Sequence, residues 1–292
     1  MKRYFLATRP WSFPVSVVSI LVTTVGLFYL GFPINWWLMA WAILGIILFH
    51  AAGNTLSDYF DFRRSVDTPA ISGSRTLVDG IMTPQEMLRY ALILLAVACV
   101  CGVGLMLATG WQLLIFGVLG ALLASFYYVL KFHALGDLDI FLCFGLLPAL
   151  GTSFVVTGDV RWEALWFVLA FSPITNGVLH ANNTRDILTD KAAHIHTLPM
   201  LIGLPISRLL YYSNVLLPIL WVITCVILDK MPWAALAILL SLPLAIRNCK
   251  MMARFTGDND AINHLDECTA QQQLISSGLL FLSTLIYTLI VA

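Results

Sequence analysis

Long uncharged apolar stretches alternate with short polar stretches along the whole chain. Each apolar stretch has roughly the 20 residues that an α-helix needs to cross the hydrocarbon core of a bilayer. The pattern therefore predicts an all-α membrane protein with nine transmembrane helices. The predicted spans are 12–31, 36–56, 86–108, 112–130, 138–157, 163–182, 205–228, 232–249 and 272–291.

The composition excludes a large soluble enzyme. Of the 292 residues, 60% are hydrophobic and 11% are charged, and the mean hydropathy is +0.88. Soluble domains carry about 25% charged residues, and a soluble core of this length could not bury so much apolar surface. The formal net charge is zero, which speaks against a nucleic-acid partner. We predict a single transmembrane domain over residues 1–292 within a lipid bilayer.

The basic residues predict the orientation of the chain in the membrane. With nine spans and a cytoplasmic N-terminus, 14 of the 16 Lys and Arg residues fall on the cytoplasmic side. Such a bias follows the positive-inside rule. The basic start of the chain has no cleavage pattern typical of a signal peptide, so we expect it to be retained.

Acidic residues gather where the second predicted span ends. Asn54, Asp58 and Asp61 are spaced i, i+4 and i+7, so they share one face of a helix end, and Asp67 follows in the loop. A second cluster follows the sixth span, where Asn183, Asp186 and Asp190 are spaced i, i+3 and i+7.

Two interpretations of these clusters differ in chemistry. In the first, the acids form a solvated collar that pairs with neighbouring basic residues, namely Arg63, Arg64, Arg185 and Lys191. In the second, Asp58, Asp61, Asp186 and Asp190 bind Mg²⁺, which prefers oxygen ligands. Two equivalent clusters favour the metal interpretation, because bound metal removes the repulsion between close carboxylates.

A metal site alone fits either an enzyme or a divalent-cation transporter, and nearby positive charge distinguishes the two. Tyr127 and Lys131 lie one helical turn apart at the predicted cytoplasmic end of the fourth span, and Arg75 lies in the loop after the second. Cations beside magnesium carboxylates suit a diphosphate and oppose cation transport. The membrane setting adds a lipid tail, so a polyprenyl diphosphate fits all three features.

The two Asn–Asp motifs, together with Tyr127-x3-Lys131, resemble those of the UbiA superfamily of intramembrane prenyltransferases. The resemblance covers nearly the whole chain. It implies nine transmembrane helices, with the Asp-rich motifs at the cytoplasmic ends of helices two and six and cytoplasmic cap loops after both.

Within the superfamily, the sequence is most similar to the 1,4-dihydroxy-2-naphthoate polyprenyltransferases of menaquinone synthesis and their animal relatives. The similar segments are RPWSFPVS at 9–16, DYFDFRRSVD at 58–67, GSRTLVDG-x-MTPQE at 73–86 and NNTRD at 182–186. Two positions depart from the pattern, since Ser57 stands where many members have Asn and His194-Ile195-His196 replaces a glycine-containing segment.

The resemblance implies an electrophilic aromatic substitution that depends on Mg²⁺. The implied roles are metal binding by Asp58, Asp61, Asp186 and Asp190, diphosphate binding by Lys131, Arg75, Arg185, Asn54 and Asn183, and catalysis by Asp67, Tyr127 and Lys131. The rings of Tyr127, Tyr128 and Phe60 are candidates to stabilise the allylic cation.

The implied acceptor is 1,4-dihydroxy-2-naphthoate, which loses CO₂ and gives demethylmenaquinone. Alternative acceptors within the superfamily are 4-hydroxybenzoate, homogentisate or a lipid alcohol. We expect a bacterial-type inner membrane, with the N-terminus and the active site facing the cytoplasm.

Overall fold

The computed structural model describes residues 2–63, 75–192 and 196–291. Asp67 and His194 therefore lie outside the described residues, as does most of the predicted cap loop after the second span. The backbone is described but the side chain is not at Asp61, Arg75, Tyr127, Tyr128 and Lys131.

All regular structure in the described residues is helical, as the sequence predicts. The α-helices are α1 (Lys2–Ala7), α2 (Phe13–Tyr29), α3 (Trp36–Arg63), α4 (Arg75–Val78), α5 (Pro84–Thr109), α6 (Leu113–Phe132), α7 (Gly136–Phe141), α8 (Leu147–Thr157), α9 (Ala164–Val168), α10 (Ser172–Arg185), α11 (Ile187–Ala192), α12 (Leu198–Ile227), α13 (Leu242–Arg254) and α14 (Leu265–Val291). Three 3₁₀ segments, Pro10–Ser12, Trp233–Ser241 and Asp260–Ile262, precede α2, α13 and α14, and a π-helical turn, Leu142–Leu146, joins α7 to α8.

Local sequence signals explain where several helices begin and end. Thr83 and Glu86 form a capping box at the start of α5, with Pro84 in the first helical position. Gly158 ends α8 with a φ of 82°, a left-handed conformation that glycine adopts without steric cost. Gly203 has a φ of 75° and interrupts α12, so the helix begins before the predicted span and is kinked there.

The described helices show that the chain is an integral membrane protein. Seven of them, within the described residues, are long and apolar enough to cross a membrane. Many large apolar side chains are exposed, among them Val100, Leu107 and Ile290 at more than 70%, as expected of helices that face lipid.

Each of the nine predicted spans falls in helical structure, but two do not form a single long apolar helix in the part that the structure describes. In α6 the fully described apolar part is Leu113–Ala124, which is too short to span alone. The predicted span 163–182 is divided between α9 and α10, and α10 carries several polar residues. The count of nine transmembrane spans therefore stays a prediction.

The main core lies between α2, α9, α12, the 3₁₀ segment Trp233–Ser241, α13 and α14. Phe167 and Phe171 are fully buried there, against Val22 of α2 and Val222 of α12. The π-helical turn brings the backbone of Gly145 so close to α10 that a Cβ atom would lie 2.0 Å from the Ser172 hydroxyl. α10 begins directly after Phe171 and packs against α12 and α14, so the core fixes the helix that leads into the second Asp cluster.

Candidate active site

The first Asp cluster faces the N-terminal segment of the chain. Asp58 of α3 is 1% exposed and forms an ion pair with Arg9. One turn earlier, the amide nitrogen of Asn54 donates to the carbonyl oxygen of Thr8 at 2.9 Å and to the hydroxyl of Ser12 at 3.0 Å. The end of α3 and the segment RPWSFPVS therefore form one polar unit.

His50, one turn below Asn54, extends this unit. Its ring nitrogens lie 3.2 Å from the Ser12 hydroxyl and 2.7 Å from the Ser16 hydroxyl. Arg9, which forms the ion pair with Asp58, lies 49 positions away in the chain and is not among the partners that the collar interpretation named. The signal for this partner in the sequence was Arg9 itself, a basic residue beside Pro10 at the start of an apolar stretch.

The second Asp cluster lies at the junction of α10 and α11. Asn183 and Asp190 are buried, at 3% and 8% exposure, whereas Asp186 is partly exposed. The backbone N–H of Asp190 donates to the carbonyl oxygen of Asp186 at 2.8 Å. The short α11 therefore continues from α10 and keeps all three residues on neighbouring turns.

Arg185 fixes the position of Asp186. Its Nε and one terminal nitrogen donate to both carboxylate oxygens of Asp186, at 2.8 and 3.0 Å. The remaining N–H groups donate to Asn182 Oδ1, the Asn263 carbonyl oxygen and Asp266 Oδ2, at 2.9, 3.2 and 2.8 Å. The hydrogen bond to Asp186 is the largest cause of a raised pKa for Arg185.

A guanidinium has five N–H donors, and these contacts use all five. In this conformation Arg185 holds Asp186 and the start of α14, through Asp266, and has no donor left for a second anion. Its expected role in binding diphosphate stays a prediction.

We expect Arg185→Lys to lower the catalytic rate about tenfold, because outer-shell partners of metal ligands affect activity by about 10–100-fold. A lysine keeps the charge but cannot hold Asp186 through two parallel bonds while also reaching Asp266. Turnover and thermal stability of the purified variant measure the effect. Arg254→Lys, at the exposed end of α13, is the matched control, and equal rates for both variants would contradict the role of Arg185.

The donor chemistry of the two clusters fits Mg²⁺. The motif residues offer carboxylate and amide oxygens, the hard ligands that Mg²⁺ prefers, and Asp58 and Asp190 hold theirs in buried positions. Among described side chains alone, no group of three or more His, Cys, Asp or Glu residues is placed to hold a metal ion. The side chains of Asp61 and Asp67, which the sequence assigns to the site, are not among those that the structure describes.

The residues predicted to contact the diphosphate from α6 and from the loop after α3 lie at helix ends. Tyr127 and Lys131 belong to the last two turns of α6, and Arg75 begins α4. A short linker of residues 133–135 joins α6 to α7, and within it Ala134 has a φ of 60°. The N–H of Ala134 donates to the carbonyl oxygen of His196 at 3.0 Å, so this linker contacts the segment before α12.

A buried polar network between α7, α10 and α12 was not predicted from the sequence. His180 is fully buried, and its Nδ1 lies 2.7 Å from Oδ2 of Asp137. Ser207 and Thr184 complete the network around the same ring. A histidine and an aspartate within apolar stretches of a membrane protein were signals that could have identified it.

Comparisons with known proteins agree with the motifs. The sequence model described as the UbiA prenyltransferase family matches residues 18–263. UbiA prenyltransferase domain-containing protein 1 of Gallus gallus is 31% identical over 278 residues, which cover 93% of this chain and 81% of that protein. The protein of the same name from Danio rerio is 32% identical over 248 residues, which cover 83% and 73%.

Solved structures show the same fold. A UbiA homolog from Aeropyrum pernix K1, solved in the apo state, has a TM-score of 0.72 at 15% identity, covering 91% of this chain and 97% of its own. A UbiA homolog from Archaeoglobus fulgidus, bound to GPP and Mg²⁺, has a TM-score of 0.60 at 16% identity, covering 95% and 99%. The predicted superfamily and the all-helical membrane fold are confirmed.

Proposed function

Because the chain belongs to the UbiA prenyltransferase family and is a prenyltransferase, we propose that it transfers a polyprenyl group from its diphosphate to an aromatic acceptor, with Mg²⁺ as cofactor. The family is one of transferases, which argues against the alternative of a divalent-cation transporter. The proposed acceptor is 1,4-dihydroxy-2-naphthoate, and the proposed setting is the lipid bilayer.

One observation carries the proposal. Two helical segments of a membrane bundle, α3 and the consecutive pair α10 and α11, each carry an Asn followed by Asp residues on neighbouring turns, and Asp58 and Asp190 are buried there. Carboxylates at the edge of a membrane are costly, so they indicate a functional site. The relative bound to GPP and Mg²⁺ has the same fold, which supports a prenyl diphosphate and Mg²⁺ as ligands of this chain.

Each side chain has a role in the proposed reaction. Asp58, Asp61, Asp186 and Asp190 would hold Mg²⁺, which when bound neutralises the diphosphate oxygens and promotes their departure. Lys131 and Arg75 donate to the diphosphate as the allylic C–O bond breaks and its electron pair leaves with the diphosphate. Asn54 and Asn183 supply further contacts to the head group, and Asp67 completes the first motif.

The acceptor then attacks the allylic cation. A ring carbon of the acceptor forms the new C–C bond, while the rings of Tyr127, Tyr128 and Phe60 lower the energy of the cation, by about 0.5–2 kcal/mol each. With the naphthoate acceptor, the carboxyl group leaves as CO₂ and the ring regains its aromaticity. The product is the reduced form of demethylmenaquinone.

The naphthoate acceptor is supported by the segments in which the chain is similar to that branch. One of them, RPWSFPVS, lies against the first Asp cluster through Arg9 and Ser12. Segments that distinguish an enzyme branch are expected to contact the site in which the branches differ. The relatives that are 31% and 32% identical carry names that specify no acceptor, so the similar segments alone support the naphthoate.

The decisive experiment is an assay of the purified protein with Mg²⁺, a polyprenyl diphosphate and four acceptors, followed by mass spectrometry. The acceptors are 1,4-dihydroxy-2-naphthoate, 4-hydroxybenzoate, homogentisate and a lipid alcohol. We expect a product only with the naphthoate, with a mass that includes the loss of CO₂. A product with another acceptor would contradict the naphthoate assignment, and no product with any acceptor would contradict the proposed function.

We also propose that residues 1–292 form one transmembrane domain with nine spans, a cytoplasmic N-terminus and a cytoplasmic site, in a bacterial-type inner membrane. The distribution of the 16 basic residues supports this orientation. Reporter proteins fused after Arg64 and after Lys191 should both report the cytoplasm, and a fusion after Lys230 should report the opposite side. Fusions after Arg64 and Lys191 that report opposite sides would contradict nine spans.

A further inference from the structure

The buried network around His180 connects three helices near the proposed site. Nδ1 of His180 donates to Oδ2 of Asp137 in α7 at 2.7 Å. Nε2 lies 2.8 Å from the hydroxyl and 3.1 Å from the carbonyl oxygen of Ser207 in α12. Thr184 donates to the carbonyl oxygen of His180 at 2.7 Å and lies 2.9 Å from the Ser207 hydroxyl. One imidazole thus joins α7, α10 and α12.

Asp137 depends on His180. Its side chain is about 7% exposed, and its other carboxylate oxygen, Oδ1, is buried and has no hydrogen-bond partner among the described residues. A buried carboxylate that loses its only partner is strongly destabilised, because neither water nor a second donor replaces the lost bond. Asp137 therefore holds the first turn of α7 to α10 only as long as His180 is present.

The network lies between two groups of proposed ligands. Asp137 follows Lys131 by six residues, and the linker between α6 and α7 is fixed by backbone bonds, including those of Leu135 to Leu130 and of Ala134 to His196. His180 precedes Asn183 by one helical turn in α10 and precedes Asp186 by two. A shift of α7 relative to α10 would therefore move Lys131 relative to the second Asp cluster.

We infer that the His180–Asp137 pair is a positioning element for the transfer site, which sets the distance between the end of α6 and the metal-binding end of α10. This inference rests on the proposed function, in which both ends contact the same diphosphate. Displacements of about 1 Å in such a site reduce rates about 100-fold, because the reacting groups must be held in alignment.

A purely structural role would have a different signature. Tyr211 lies one turn beyond Ser207 in α12, is equally buried and bonds to Thr269 of α14 at 2.6 Å. Loss of that bond should lower stability without changing the affinity for diphosphate. Loss of the His180–Asp137 bond should change the affinity for diphosphate as well, because it connects the two proposed ligand groups.

Two substitutions of His180 separate its two bonds. The amide nitrogen of an asparagine lies near the position of Nδ1, so His180→Asn keeps a donor for Asp137 and loses the contact with Ser207. The longer glutamine places its amide near Nε2, so His180→Gln keeps the contact with Ser207 and leaves Asp137 without its donor. Tyr211→Phe is the matched control, and Asp137→Ala, which removes the acceptor of the Nδ1–H group, replaces His180→Gln if that variant does not fold.

The measurement is the dissociation constant of a prenyl thiolodiphosphate, an analogue whose allylic carbon–sulfur bond resists cleavage. It is determined by isothermal titration calorimetry at several Mg²⁺ concentrations. We expect His180→Gln to raise this constant and the Mg²⁺ requirement at least about tenfold, as outer-shell substitutions do. His180→Asn should stay within about threefold of the wild type, and Tyr211→Phe should bind the analogue as the wild type does.

Equal affinities for wild type and folded His180→Gln would overturn the inference, as would equal losses for His180→Asn and His180→Gln. If the wild type binds the analogue with the expected pattern but forms no prenylated product, the proposed function fails and the positioning role stands. A wild type that does not bind the analogue overturns both.

Discussion

Prenyl transfer is expected to fall at least about 1,000-fold when Asp58, Asp61, Asp186 or Asp190 is replaced by alanine, while the protein stays folded in the membrane. These carboxylates are the proposed ligands of Mg²⁺ on the leaving diphosphate, a role of several kcal/mol in the transition state, and about 1.4 kcal/mol corresponds to a tenfold change in rate. Turnover at saturating Mg²⁺ measures the effect.

Asp159→Ala is the matched control for this series. Asp159 lies near the end of α8, its side chain is 70% exposed, and its ion pair with Arg161 is of the solvent-exposed kind that contributes little. It should keep the wild-type rate. Asp58→Ala also leaves Arg9 without its partner, so Asp58→Asn should be more stable than Asp58→Ala and equally inactive. Full activity of the wild type in EDTA would contradict the metal role.

The second large effect is expected at Lys131. Lys131→Ala should reduce kcat/KM for the prenyl diphosphate about 100-fold, because a preorganised positive charge stabilises the diphosphate most strongly as the C–O bond breaks. Lys131→Arg keeps the charge with a different shape and should fall between the wild type and the alanine variant. The kinetics are measured with the prenyl diphosphate varied at saturating acceptor.

Lys250→Ala is the control for charge alone, since Lys250 is exposed on α13, on the same predicted side of the membrane. It should behave as the wild type. A folded Lys131→Ala variant with wild-type prenyl transfer would remove the diphosphate role from this residue. In a second series, with the acceptor varied at saturating prenyl diphosphate, an effect on the KM of the acceptor alone would assign Lys131 to the other substrate.

The sequence was sufficient for the helical membrane fold because that fold follows from local composition. An apolar stretch in a bilayer must satisfy its backbone hydrogen bonds internally, so it becomes a helix wherever it lies in the bundle. All nine predicted stretches are helical. One of these stretches, 163–182, is interrupted by a short turn between α9 and α10.

The sequence alone also determined the spacing within each Asp cluster, because residues one turn apart on a helix share a face regardless of tertiary structure. The sequence alone did not determine contacts between residues from distant parts of the chain. The ion pair of Arg9 with Asp58, the connection of Arg185 to Asp266 and the network of His180 with Asp137 and Ser207 join residues 27 to 81 positions apart. Such contacts depend on which helices become neighbours, and only the tertiary structure decides this, because apolar helix faces pack against one another with little dependence on sequence order.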